Sequence, residues 1–130
     1  MKLIELSTNI DVRGSLTSIE GGVDTPFDIK RCYMVHHIEA VRGGHAHREN
    51  HQIVIAAAGS IRMDLNDGQN SKSFLLASPT TGLIIDPMTW IEIPEFTSDA
   101  VLVVLASTHY DHKKTIRDLK QFMELKASNE

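Results

Sequence analysis

The sequence has a single cysteine, Cys32, so an internal disulfide is excluded. Cys32 lies in the apolar-leaning run Ile29 to Val35, where a buried structural thiol is expected rather than a nucleophile. Long apolar runs are also missing. The most hydrophobic stretch, Ala100 to Ala106, is far too short to span a bilayer. Residues Met1 to Ile10 lack the basic start and apolar segment of a secretory signal, so a cytoplasmic protein without a membrane role is expected. Excess positive charge is absent as well. A formal net charge of −4 argues against nucleic acid as a partner, although a few arginines can still hold a small anion. No linker, internal repeat or low-complexity tract interrupts the chain, and its 130 residues suit one domain, 1–130, with one core.

What remains is a series of short strand signals with turns between them. The expected strands are Lys2 to Leu6, Ser15 to Glu20, a long Ile29 to Ile38, and Gln52 to Ala58. Further on come Ser60 to Leu65, Ser73 to Ala77, Leu83 to Ile85, Thr89 to Ile93 and Ala100 to Ala106. Asp11 to Gly14 and Asn66-Asp67-Gly68 read as turns, since Asn, Asp and Gly tolerate positive φ. Ala100 to Ala106 is placed at the centre of a sheet. Only the end is helical in pattern: Ile116, Leu119, Phe122 and Met123 recur at spacings of three and four. Thr115 or Asp111 is the expected start of that helix, and Lys126 to Glu130 the frayed tail. Strands spaced in this way predict an all-β fold, a small jelly-roll barrel with one C-terminal α-helix.

Most of the chemistry is concentrated between Arg42 and Gln52. Three of the seven histidines fall there, and His45-Ala46-His47 puts two imidazoles on one face of an extended strand. The preceding Gly43-Gly44 allows a sharp turn or a close backbone approach. Three uses of the pair stand open: a metal site, a proton-handling pair, or two side chains on a wet strand face.

A His-x-His pair in a small β-barrel is similar to the first motif of the cupins. After His47, four residues lead to Gln52 and six more to Gly59, so the frame fits but glutamine stands where the motif has glutamate. The histidine of the second motif would fall at Ile91 or Glu92. With His51 or Glu92 as the only stand-ins, the site is short of metal ligands, and no metal or cofactor is expected. Two neutral imidazoles suit proton transfer instead, because an unperturbed histidine titrates near about 6.5.

A longer resemblance runs nearly end to end. It is carried by Asp11 to Leu16, Pro26 to Tyr33, Arg42 to Arg48, Gly59-Ser60, Asp67-Gly68, Gly82-Leu83, Pro87 to Trp90, Phe96 to Val101, Leu105 to Ser107, Tyr110-Asp111 and Ile116 to Asp118. In this order and spacing the chain resembles the sugar 3,4-ketoisomerases of the WxcM-like cupin family, which act on dTDP-4-keto-6-deoxyglucose. The resemblance implies a cupin double-stranded β-helix and a metal-independent isomerase. It implies that the ketone moves from C4 to C3 through an enediol, on the way to 3-amino-3,6-dideoxyhexoses of surface glycans. It further implies a homodimer, with N-terminal strands exchanged between subunits.

The pair matched by His45 and His47 is then the acid–base machinery, and Tyr33 and Gln52 are hydrogen-bond donors. Arg42 is the first choice for the diphosphate, with Arg13 and Arg31 next. Trp90 either stacks on the substrate or closes the barrel. His51 is assigned to a turn or rim, and His36, His37, His109 and His112 to structural or exposed positions. Where the family has two successive tyrosines, this chain has Tyr33-Met34, and where many members have a polar residue after the tryptophan it has Ile91. Competing readings are a 3,5-epimerase of the same sugar, a metal-dependent oxygenase, and a non-catalytic nucleotide-sugar binder.

Overall fold

Alternation decides the clearest of the strands. In the computed structural model, which describes residues 1–128, Ile61, Met63 and Leu65 are buried along one strand while Arg62, Asp64 and Asn66 between them are half-buried. The chain forms β1 (Lys2–Glu5), β2 (Ser7–Asp11), β3 (Gly14–Ser18), β4 (Arg31–Val35), β5 (Arg42–His47) and β6 (Gln52–Ala58). It continues with β7 (Ile61–Asn66), β8 (Ser71–Leu76), β9 (Thr81–Ile85), β10 (Trp90–Phe96), β11 (Val101–Ala106), β12 (Thr115–Ile116) and a final helix α1 (Leu119–Ser128).

Two five-stranded antiparallel sheets result, ordered β1-β9-β6-β11-β4 and β12-β5-β10-β7-β8, with β2-β3 as a separate hairpin. One hydrophobic core joins the inner faces, with Val54, Leu83, Leu102 and Val104 from the first sheet and Met63, Leu65, Ile91 and Ile93 from the second. This is the expected jelly-roll barrel. Among the described residues, no helix is long and apolar enough to cross a membrane.

The almost continuous apolar run of β6 has a physical reason. Val54 and Ala56 face the barrel interior, while Ile53 and Ile55 face a second cluster with Leu6 and Phe27, so both sides of the strand are covered. β6, rather than β11, is therefore the central strand of its sheet; β11 lies one place in from the edge.

Several other expectations are corrected. β4 spans only Arg31–Val35 of the ten residues expected, and His37 beyond it has φ +52°, outside strand geometry. β4 is an edge strand whose outward side carries Cys32 and Met34, so Cys32 is exposed instead of buried. β2 was not expected; its polar Ser7-Thr8-Asn9 start hides a strand that pairs only with β3. β10 continues past Pro94 to Phe96, because its register with β7 slips between Glu92 and Glu95, where a residue without an N–H is tolerated.

The helix starts later than expected. Thr115 and Ile116 form β12, which pairs with β5, and Asp111 caps a short 3₁₀ turn at His112–Lys114. The cap of α1 is Asp118, whose Oδ1 accepts from the N–H groups of Lys120 and Gln121. Lys126 to Ser128 are helical rather than a tail, and the last two residues of the expected tail lie outside the described residues.

Candidate active site

The polar pair is positioned by β5. Along this strand His45 and His47 point one way and Ala46 the other, into a cluster with Trp90, Ile116 and Phe122. The histidine side opens into a cavity of about 820 Å³ between the two sheets. Val54, Met63, Ile93, Leu102 and Val104 contribute apolar lining, and part of the wall comes from residues between Thr108 and Arg117.

Gly43 and Gly44 set the approach of β5. Both have positive φ, +100° and +74°, beside a bulge that shifts the register between Ile91 and Glu92. A Cβ on Gly43 would lie 2.7 Å from both the Glu92 Cα and the Ile91 carbonyl oxygen. Only glycine lets the strand enter the pairing there.

The imidazoles of His45 and His47 are 5.0 Å apart between centroids and meet at 73°. Burial and the neighbouring imidazole and arginines hold His47 down to about 4. Burial also lowers His45, reinforced by Arg117 and Arg42, against the opposing effects of the Gly43 backbone and Glu92. Both rings are thus neutral at pH 7. The Nε2 of His47 is buried with no hydrogen-bond partner among the described residues, a costly arrangement unless a ligand completes it.

Tyr33 and Gln52 lie next to the pair. Gln52 Nε2 donates to the Tyr33 hydroxyl at 3.0 Å, which leaves the phenolic O–H free to donate into the cavity. Burial raises the Tyr33 pKa, so the phenol keeps its proton. Gln52 is nearly fully buried, and its amide is spent on Tyr33 at the position where the cupin motif has a carboxylate. Among the described residues no three His, Cys, Asp or Glu side chains converge as a metal-ligand set.

The arginines divide. Arg31 and Arg42 line the cavity, and the Arg31 guanidinium lies over the rings of Tyr33 (4.9 Å) and Tyr110 (5.5 Å). Arg13 does not reach it. At the tip of the β2-β3 hairpin its side chain pairs with Asp11 at 2.7 Å and is largely exposed. Trp90 also lies off the cavity: it packs on Phe122 at 5.7 Å and donates through Nε1 to Glu92 at 2.8 Å, so it closes the barrel. His51 stands half-exposed near Asp86, and His36, His37 and His112 are exposed. His109 is exposed at the cavity wall.

Sequence reasoning missed Lys114, Tyr110 and Arg117 on that wall. Their segment was read as the run-up to a helix. The signal was the Ile116-Arg117-Asp118 triplet, matched in the resemblance but given no role.

A model of the FdtA family, described as WxcM-like, C-terminal, matches residues 1–127. A TDP-4-oxo-6-deoxy-alpha-D-glucose-3,4-oxoisomerase from Aneurinibacillus thermoaerophilus is 41% identical over 123 residues, which is 93% of this chain and 88% of that one. The crystal structure of QdtA, a sugar 3,4-ketoisomerase from Thermoanaerobacterium thermosaccharolyticum in complex with TDP, superposes with a TM-score of 0.94 at 37% identity. That match covers 98% of this chain and 95% of the other. A 3'-monoepimerase from Streptomyces bikiniensis, solved with dTDP-quinovose, has a TM-score of 0.74 at 17% identity and shares the fold alone. With a closely superposing fold and a family model that runs almost its whole length, the chain belongs to the WxcM-like, C-terminal FdtA family.

Proposed function

We propose that this protein is an isomerase that moves the ketone of TDP-4-keto-6-deoxyglucose from C4 to C3, with His45 and His47 as its acid–base pair. The observation that carries the assignment is the neutral, half-buried imidazole pair in a cavity with arginines on its wall. Its relatives of known activity at 37–41% identity are ketoisomerases of TDP-linked sugars.

The chemistry requires no net oxidant. The proton at C3 is acidified by the C4 ketone, and a neutral imidazole removes it to give an enediolate. Protonation at C4, with transfer of the O3 proton to O4, then leaves a ketone at C3 and a hydroxyl at C4, so atoms and electrons balance. A base near C3 and an acid near C4 must stand within one sugar carbon of each other, which suits two rings 5.0 Å apart. Tyr33, with its O–H free, donates to a sugar oxygen, while Gln52 fixes the direction of that hydroxyl.

Arg31 and Arg42 hold the diphosphate. Neither guanidinium has a carboxylate partner among the described residues, so both charges are available to an anion. Arg31 is also pre-oriented by the two tyrosine rings.

The assembly proposed is a homodimer. β1 pairs with β9 of its own chain, which leaves the β2-β3 hairpin as the segment to exchange. Its Ile10, Val12 and Leu16 are exposed, although a lone two-stranded hairpin needs cover to be stable.

Incubation with TDP-4-keto-6-deoxyglucose, followed by ¹³C NMR, tests the reaction. The carbonyl resonance is expected to pass from C4 to C3. A carbonyl that stays at C4 with inverted C3 or C5 would identify an epimerase, and tight TDP binding with no turnover would identify a binder.

A further inference from the structure

The triplet Ile116-Arg117-Asp118 fixes a backbone position and leaves one side chain free. Ile116 is 2% exposed, packed with Trp90 and Phe122. Asp118 spends its carboxylate on the helix cap, accepting from Lys120 at 2.9 Å and Gln121 at 3.4 Å. Arg117 is thus held between a buried strand and a capped helix, and its own side chain lines the cavity. Among the described residues its guanidinium has no ion pair or hydrogen bond.

Register places it beside the histidine pair. β12 runs antiparallel to β5, with Thr115 opposite His47 and Ile116 opposite Ala46. Arg117 follows directly, one residue past the last paired position and on the His45 side of Ala46. The reach of its charge agrees: Arg31 acts on His47, Arg42 acts on His45, and Arg117 acts on both.

We propose that Arg117 is a catalytic residue, whose guanidinium donates to the C3 and C4 oxygens of the sugar as enediolate charge develops between His45 and His47. This rests on the ketoisomerase reading above. A fixed cation aimed at developing oxyanion charge gains strength in the transition state over the ground state, so its loss falls on turnover.

The test compares Arg117→Gln and Arg117→Lys with wild type, by steady-state kinetics across pH, TDP titration calorimetry and thermal melts. Arg117→Gln should lower kcat by about 10²–10³-fold and leave the TDP Kd within about twofold. The acid limb of its pH–rate profile should move to higher pH, since removing a cation makes both imidazoles easier to protonate. The charged groups left facing His45 are Arg42 and Glu92, and Arg31 remains for His47. Arg117→Lys, which keeps the charge, should recover part of kcat and leave the acid limb in place.

Unchanged kcat with a TDP Kd weakened about tenfold or more would make Arg117 a diphosphate clamp and overturn the proposal. Equal loss of kcat and melting temperature in both variants, with no movement of the acid limb, would make it structural and overturn it too. Absence of turnover in wild type would instead overturn the parent reading, and this proposal with it.

Discussion

His47 is the residue most altered by its surroundings. An ordinary imidazole titrates at 6.5, whereas burial, His45 and two arginines hold this one at about 4. A base must be neutral to act, so the acid limb of kcat/KM should lie below 6.5, and near about 4 where His47 is the base. An acid limb at the ordinary imidazole value would show that the cavity does not exclude the proton as described. The same shift bears on stability. Between 6.5 and about 4 the unfolded chain takes up a proton that the folded chain refuses, so acidification through that window should destabilise the protein. Of the candidate side chains, sequence gave the histidine pair directly, because i and i+2 share a strand face. It could not separate Arg31 from Arg13, since neither the strand signal around the one nor the turn signal around the other says which side chain reaches the cavity, and only the tertiary path sends one there and the other to a hairpin tip. Trp90 and Cys32 show the same limit: which face of a strand is covered depends on its place in the sheet.

At the scale of the element, β5 is built around two glycines. Gly43→Ala would put a methyl group 2.7 Å from the backbone of β10 at a φ of +100°. Backbone strain and overpacking of this kind together cost at least about 2 kcal/mol. A lowered melting temperature is expected together with loss of turnover, because the shift carries His45 with it. Normal stability and activity in Gly43→Ala would contradict the role of the bulge. β7 was readable because its apolar and polar residues alternate with one face buried, and β11 because it is apolar throughout. The β12-α1 junction was not, because Ile116 satisfies a helical spacing while belonging to a two-residue strand fixed by pairing with Ala46 and His47. Thr115 and Asp111 are both plausible caps by composition, and only the hydrogen bonds select Asp118.

For the whole molecule, the barrel supplies a cavity with an apolar lining and a polar end that carries the histidines and arginines. The β2-β3 hairpin pairs with neither large sheet and leaves Ile10, Val12 and Leu16 exposed. Sedimentation equilibrium should give twice the chain mass, and Leu16→Asp combined with Ile10→Asp should shift it toward the single chain. A wild-type mass of one chain across micromolar concentrations would refute the exchanged dimer.

The central claim is that His45 and His47 carry protons between adjacent sugar carbons. Running the reaction on TDP-4-keto-6-deoxyglucose in D₂O and reading the product by NMR tests it most directly. Wild type is predicted to give a C3 ketone with solvent deuterium at C4, and His45→Asn and His47→Asn to be slower by about 10²–10⁴-fold. Full isomerase rate in both variants, or deuterium at C3 and C5 beneath an unmoved C4 ketone, would contradict the account.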